Sequence, residues 1–193
     1  MNKDALCAKK NSGVSLIIVI LVMAFMLTIG IFLMTITSTG PGVAGNMRLQ
    51  EQAFNAAEAG FDSAWRYLNS GIGAGGLNDF SPLYRTTYNG VSGLDNPDPL
   101  NPYYFRRLTD QQLWNDVIAH PDNSNPTVSA FYLNFTAQPM PDDSRFSYTC
   151  FLINDEAAGM TADHTDSIIV CIGRGPRNTY SRLEVTIQIQ THL

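Results

Sequence analysis

The sequence predicts an α+β protein in which a long N-terminal helix precedes a C-terminal antiparallel β-sheet. Three observations carry this prediction: an uncharged apolar run near the N-terminus, helical periodicity directly after it, and alternating apolar positions in the last third of the 193-residue chain. Strand follows strand in that last third with no crossover helix between them, which favours antiparallel pairing.

The apolar run predicts a membrane span. No charged side chain occurs between Asn11 and Met47, and Val14–Thr39 as a helix is about 39 Å long, more than the ~30 Å hydrocarbon core of a bilayer. A secretory signal has a shorter apolar core of about 7–15 residues. Residues 42–44 (Gly-Val-Ala) offer a small-x-small cleavage site, so a cleaved signal is the alternative to a retained membrane helix.

Charge predicts the orientation of this span and excludes one class of partner. The net charge is −5, and all three lysines lie within the first ten residues. By the positive-inside rule the N-terminus stays cytoplasmic and the rest of the chain is exported. After Gly13 the chain carries 9 basic and 16 acidic side chains. Such an acidic domain has no electrostatic footprint for direct binding to DNA or RNA.

A second helical segment is expected over residues 40–69. It starts at residues 40–42 (Gly-Pro-Gly), which should interrupt or loosen the helix that leaves the membrane. Apolar residues then recur at helical spacing on one face, which we expect to face the core. They are Met47, Phe54, Phe61 and Leu68, with Ala57, Ala64 and Trp65.

The remainder divides into an irregular region over residues 70–126 and a sheet region over residues 127–193. Gly, Asn, Asp, Ser and Pro dominate the first, with a short helix predicted over Thr109–Ala119. Apolar residues alternate over 131–135, 146–152 and 183–189, which predicts three strands. The nearly all-apolar stretch Ser167–Ile172 predicts a fourth strand, covered on more than one side.

Three separated features resemble type IV pilins. The leader of residues 1–13, which ends in Gly13 before an apolar helix, resembles the class III signal that prepilin peptidase cleaves on the cytoplasmic side, leaving Val14 at the mature N-terminus. The segment 45–60 resembles the N-terminal region of PilX-type minor pilins. Its matching residues are Gly45, Asn46, Met47, Arg48, Gln52, Ala53, Phe54, Ala56, Ala57, Glu58, Ala59 and Gly60. The helix, long loop and C-terminal antiparallel sheet are similar to the type IV pilin fold.

The resemblance implies a structural role, without enzymatic activity or cofactor, in the assembly or initiation of a type IV pilus. It implies as partners other minor pilins, the major pilin, the pilus assembly platform and a tip adhesin. The chain would lie in the bacterial inner membrane with its C-terminal domain exported, and in the pilus after assembly. The residues expected to act in assembly are Ile18, Asn46, Arg48, Phe54 and Glu58.

One departure from the family pattern suggests a position in the filament. Major pilins usually carry Glu at the fifth mature position, where the carboxylate is thought to neutralise the N-terminal ammonium of a neighbouring subunit; here that position is Ile18. A buried carboxylate is unfavourable unless paired, so its loss eases membrane residence and removes an assembly contact. This favours a tip or initiation complex.

Alternatives stay open beside that interpretation. The tip pseudopilin of type II secretion systems has the same substitution, and a single-pass anchored exported binding domain is a further possibility. The resemblance does not decide whether the Val14 amine is methylated, or whether the filament serves adhesion, motility, DNA uptake or secretion.

No constellation of residues points to catalysis or to a metal. The histidines lack the spacing of metal ligands; they are His120, His164 and His192. One cluster invites comparison with a catalytic triad, but its members share a single turn-like loop, which is typical of solvated or capping residues: Asp163, His164, Asp166 and Ser167. The acidic loop residues lack an EF-hand pattern, so a solvated loop is preferred to a calcium site: Asp155, Glu156, Asp163 and Asp166.

Cys150 and Cys171 are predicted to form a disulfide after export, whereas Cys7 lies in the cytoplasmic leader. If the strands ending near Ile153 and starting near Ser167 form an antiparallel hairpin, the two cysteines lie within one register step of directly opposite. The alternative is a pair of buried apolar cysteines, because a slip of one residue would point them to opposite faces.

Overall fold

In the part of the chain that the structure describes, the fold comprises one long helix, a four-stranded antiparallel sheet, a two-stranded sheet and a short second helix. The computed structural model describes residues 12–73, 80, 83–120, 135–154, 156 and 165–189. The helices are α1 (Ser12–Gly73) and α2 (Asp110–Ala119). The strands are β1 (Thr87–Tyr88), β2 (Val91–Ser92), β3 (Phe135–Pro139), β4 (Ser147–Ile153), β5 (Asp166–Gly175) and β6 (Thr179–Gln188). The predicted α+β class is confirmed.

Helix α1 is continuous through residues 40–42, so the break expected there is not seen. Pro41 lies inside the helix and, having no N–H, removes one backbone hydrogen bond, but its fixed φ of about −65° is a helical value. Bonded turns on both sides hold the helical conformation across one missing bond. The chain forms two compact units, Met1–Met47 and Arg48–Leu193, and α1 has residues in both.

The sheet has the strand order β3-β4-β5-β6, and each neighbouring pair is antiparallel. β4 and β5 pair in unbroken register along all seven residues of β4. The strands predicted over residues 146–152, 167–172 and 183–189 are thereby confirmed as β4, β5 and β6. Of the strand predicted over 131–135, only Phe135 lies within the described residues, and it begins β3.

Both faces of the sheet are covered, because alternate residues of β4 and β5 point to opposite sides. One face packs against α1 in a cluster that includes Tyr148, Cys150, Leu152, Ile169 and Cys171 with Ala57, Ala64 and Leu68. The other face packs against α2 and the segment before it, in a cluster that includes Phe151, Ile153, Ile168, Val170 and Ile172 with Leu94, Phe105, Leu113, Trp114 and Val117. This two-sided cover accounts for the nearly continuous apolar run of β5.

The backbone of α1 lies directly against β5 at Gly173. A Cβ atom at Gly173 would overlap the carbonyl oxygen of Ala53 and lie 2.7 Å from the backbone nitrogen of Ala57. Further along the helix, a Cβ atom at Gly60 would lie 2.8 Å from Sγ of Cys150. We call this contact the seam: Ala53, Ala57, Gly60 and Ala64 of α1 against Tyr148, Cys150, Cys171 and Gly173 of the sheet. The hydroxyl of Tyr148 also donates to Oγ of Ser63 at 3.1 Å.

The buried face of α1 differs from the predicted one. The prediction was right for Leu68, Ala57 and Ala64, which are buried. It was also right for Phe61, which is half-buried and packs against the same cluster. It was wrong for Met47, Phe54 and Trp65, which are exposed. The reason is steric: an aromatic ring in the seam would lift the helix off the sheet, so the close contact at Gly173 admits only small side chains.

Helix α2 is held on the other face of the sheet by polar contacts as well as by its apolar side. It begins with a capping box between Thr109 and Gln112, which satisfies two free backbone N–H groups at its N-terminus. Nε of Arg182 on β6 donates to Oδ1 of Asp110 at 2.6 Å, and its terminal nitrogens donate to the carbonyl oxygens of Phe105 and Leu108. The helix predicted over Thr109–Ala119 is confirmed.

A buried ion pair closes the other end of α2. Arg85 and Asp116 lie 2.6 Å apart with side chains only 6% and 2% exposed. Arg85 also donates to the carbonyl oxygens of Asp116 and His120, at the last turn of α2. The second carboxylate oxygen of Asp116 accepts the backbone N–H of Asn89 at 2.7 Å. The carboxylate therefore joins α2 to Arg85 and to the β1–β2 turn.

Replacing Asp116 with Ala should destabilise the protein by about 3–5 kcal/mol, because a buried guanidinium is left without its counter-ion. The free energy of unfolding in urea, measured on the full chain in detergent, checks this. The matched control is Asp143→Ala, which removes the partner of Arg145 in a surface pair of similar length, 2.7 Å. No measurable change is expected there, since exposed pairs contribute little. Equal effects of the two substitutions would contradict the prediction.

Replacing Gly173 with Ala should destabilise the protein by about 1–3 kcal/mol or more, because the added methyl overlaps backbone atoms that cannot rotate away. The urea midpoint of the full chain checks this. Gly45→Ala is the control, because Gly45 lies in α1 and an added Cβ there meets nothing within 4 Å. That variant should be as stable as the parent or slightly more stable, since Ala favours helix over Gly.

Candidate assembly site

The exposed surface of α1 after Met47 has an apolar flank. Phe54, Phe61 and Trp65 are spaced by seven and four residues, which places them along one side of the helix. Phe54 is 38% and Trp65 42% exposed, and the rings of Phe61 and Trp65 stack with centroids 6.5 Å apart. Met47, seven residues before Phe54, is also exposed. We call Phe54, Phe61 and Trp65 the aromatic flank.

Polar residues occupy the side of α1 that faces away from the sheet. Asn55, Asp62, Arg66 and Asn69 recur at helical spacing and are all exposed. The helix therefore has three distinct sides beyond Met47: a buried side of small residues in the seam, the aromatic flank, and a polar side. The flank is the one exposed side of this segment that gains by leaving water.

All five residues predicted to act in assembly are exposed. They are Ile18, Asn46, Arg48, Phe54 and Glu58. Phe54 and Glu58 are neighbours on the helix surface, one turn apart, and Glu58 borders the aromatic flank. Phe61 and Trp65 were not predicted as assembly residues, because their apolar character assigned them to the core. The signal that could have separated them is the run of Ala and Gly at residues 53, 57, 60 and 64, which marks a closer contact.

The first part of α1 is apolar on every side. Its large side chains are exposed throughout, including Ile18 at 57%. Among the described residues, α1 is the one helix long and apolar enough to cross a membrane, with a mean hydropathy of 3.1 in its most apolar window and none of that window buried. Exposing each large apolar side chain to water is unfavourable by about 1.5–3 kcal/mol. This segment is therefore suited to membrane anchoring.

Cys150 and Cys171 lie directly opposite each other on β4 and β5. The register predicted to within one residue is confirmed, and both side chains face α1, with 1% and 0% exposure. Both thiols are free in the structure. Burial raises the pKa of the Cys150 thiol well above its usual value, and its hydrogen bond with Cys171 raises the pKa further. The disulfide itself stays a prediction.

The residues considered for catalysis or calcium are only partly within the described part of the chain. Asp155, Asp163, His164 and His192 lie outside it. Asp166 and Ser167 begin β5, where Oγ of Ser167 donates to the carbonyl oxygen of Ile153 at 3.0 Å. Where side chains are described, no group of three or more His, Cys, Asp or Glu could hold a metal ion.

Comparison with known proteins bears on the N-terminal part of the chain. Residues 12–62 match the family model for the PilX N-terminal region. No curated protein and no solved structure matches the chain. The match covers the apolar part of α1 and continues through Phe54 and Phe61 of the aromatic flank. It includes Ile18 and the segment 45–60, which carries part of the resemblance. Residues 12–62 are thus similar to the PilX N-terminal region, and this similarity agrees with the resemblance to PilX-type minor pilins that residues 45–60 suggested.

Proposed function

We propose that this protein is a minor pilin that initiates assembly of a type IV pilus and stays in a tip complex. The observation that carries the proposal is an apolar N-terminal helix of PilX type with Ile18 where major pilins carry Glu. With no carboxylate at that position, the helix has nothing to pair with the N-terminal ammonium of another subunit. The tip pseudopilin of type II secretion shares this feature, and the PilX match favours the pilus.

Anchoring and export follow from the helix and from the charges beside it. The lysines of residues 1–13 hold the N-terminus in the cytoplasm, and the acidic domain after α1 is exported. Prepilin peptidase then removes the leader after Gly13, so that Val14 becomes the N-terminus. In the inner membrane lipid covers the apolar part of α1, and in the filament the helices of other pilins replace the lipid.

Helix α1 bends at residues 40–42 when the subunit is extracted from the membrane. The helix is continuous there, yet Pro41 removes one hydrogen bond, and the glycines on either side lower the local helix propensity by about 1 kcal/mol each. We therefore place bending at this turn when the assembly platform moves the subunit out of the membrane.

The aromatic flank supplies the lateral contact with a neighbouring pilin. Its residues follow the helix axis at intervals of seven and four, which is the spacing that packs one helix against another. A helix of another minor pilin or of the major pilin is the partner that matches it. Glu58 at its edge offers a charge that selects a basic neighbour. The exported domain remains free to bind a tip adhesin.

Two measurements test the proposed function: the N-terminus of the mature protein and the position of the subunit in the filament. Wild-type protein should have Val14 at its N-terminus by mass spectrometry, and immunogold should label filament ends. Gly13→Leu should keep the leader and be absent from sheared filaments, because the peptidase needs a small residue there. Gly30→Leu is the control for cleavage, since an added Cβ at Gly30 meets nothing within 4 Å in the chain, and its leader should be removed as in the parent. Normal cleavage of Gly13→Leu, or label along filament shafts, would contradict the proposal.

The lateral contact is tested by placing charge on the aromatic flank. Phe54→Glu with Trp65→Glu should lower the amount of this subunit in sheared filaments at least about tenfold, because one buried aromatic contributes roughly 1.5–3 kcal/mol. Asn55→Glu with Asn69→Glu adds the same charge to the polar side and should leave that amount unchanged.

Urea unfolding should give the Asn55→Glu, Asn69→Glu variant the stability of the parent, because both positions are exposed. The Phe54→Glu, Trp65→Glu variant should still unfold in one cooperative transition, although it loses the stacking of Trp65 on Phe61. Equal incorporation of the two variants would overturn the assignment of the flank.

A further inference from the structure

The two cysteines of the seam are buried between the sheet and α1. Cys150 and Cys171 are directly opposite in an unbroken antiparallel register, and such pairs have Cα atoms about 4.5 or 5.5 Å apart. Both values lie within the range of about 4.4–6.8 Å that a disulfide spans. Sγ of Cys150 lies where α1 passes at Gly60, within 2.8 Å of the position a Cβ would take there. The pair therefore has bonding geometry but no route to solvent.

We propose that Cys150 and Cys171 form a disulfide between β4 and β5 in the exported chain, and that it forms before α1 packs over the sheet. The inference rests on the exported orientation proposed above. Two S–H bonds break, one S–S bond forms, and the two thiols give up two protons and two electrons. A disulfide-containing oxidoreductase of the exported compartment accepts the electrons and is reduced to its dithiol.

The order of events follows from access and from thiol chemistry. The thiolate is the form that attacks the disulfide of an oxidant. In the folded domain burial keeps the Cys150 thiol protonated, and α1 blocks the approach of a protein oxidant. Both obstacles disappear when α1 is away from the sheet, because the α1-facing side of β4 and β5 is then open to solvent. Afterwards the seam protects the bond from reductants in the same way.

Removal of the leader leaves Cys150 with a single possible intramolecular partner. The chain has three cysteines, and Cys7 lies in residues 1–13. When the leader is removed, one intramolecular pairing remains. The bond would join β4 to β5 at the middle of their paired length, on the side that contacts α1. It would thereby hold the register on which the seam depends.

Mass spectrometry of the full chain tests the bond. Arg145 and Arg174 flank both cysteines with no Lys or Arg between them, so trypsin releases them in one peptide, residues 146–174. Protein extracted from membranes in urea and iodoacetamide without reductant, so that any free thiol is accessible, should give this peptide unalkylated and two hydrogens lighter than the dithiol. After reduction it should take up two alkyl groups. Cys150→Ala is the control, and its peptide should carry one alkyl group without any reduction.

Topology must be measured on the same cells, by adding protease to spheroplasts. A doubly alkylated peptide from a chain whose C-terminal domain is digested would overturn the disulfide and leave the proposed function standing. A domain that resists digestion in spheroplasts and is digested after lysis would be cytoplasmic. That result would overturn the export on which both proposals rest.

The order of events has its own test. Chain made in cells grown with dithiothreitol folds with both thiols reduced, and it is then offered oxidised glutathione in native detergent or in urea. Oxidation in the native chain should be at least about tenfold slower, because it waits for the seam to open. Equal rates under the two conditions would overturn the sealing by α1.

Discussion

The contact between the backbone of α1 and Gly173 of β5 determines much of the rest of the structure. Because a glycine stands there, the helix approaches the sheet until the carbonyl of Ala53 and the nitrogen of Ala57 occupy the space of a side chain. Close packing of this kind excludes large side chains from the seam and leaves alanine and glycine as the residues that fit. The identity of one residue in the sheet thus selects which side of the helix is buried.

A seam of small residues leaves the aromatic residues free for other contacts. Had the helix buried Phe54 and Trp65 in its own domain, its exposed sides would have been polar and unable to pack against an apolar helix. Instead α1 presents an apolar surface in its first part and an apolar flank beyond Met47. Continuity of the helix through Pro41 keeps both on one element. In the proposed function, these are the surfaces that would leave lipid and contact the helices of other pilins.

Local patterns predicted much of this fold, and the failures have a common cause. Alternation predicted β4 and β6, and the nearly all-apolar stretch Ser167–Ile172 predicted β5. The bounds of β4 and β5 predicted the register of the two cysteines to within one residue, and the helix predicted over Thr109–Ala119 is α2. The aromatic residues of α1 were misassigned because hydrophobicity ranks Phe and Trp above Ala, whereas the seam is decided by size and by a glycine more than a hundred residues away. The pair of Arg85 and Asp116 was missed for the same reason, since its partners are separated by 31 residues.

Partners distant in sequence also hold α1 on the sheet. Beyond Met47, α1 packs in one cluster with residues of β4, β5 and β6, and its closest backbone contact is with Gly173 of β5. That contact keeps its place only while the register of β4 and β5 holds. The disulfide proposed for Cys150 and Cys171 would fix that register directly beneath α1. Arg85 and Asp116 lie on the other face, where they hold α2 and the loop that precedes it. The seam is thus the place where the buried side of α1 and the register of β4 and β5 depend on the same few residues.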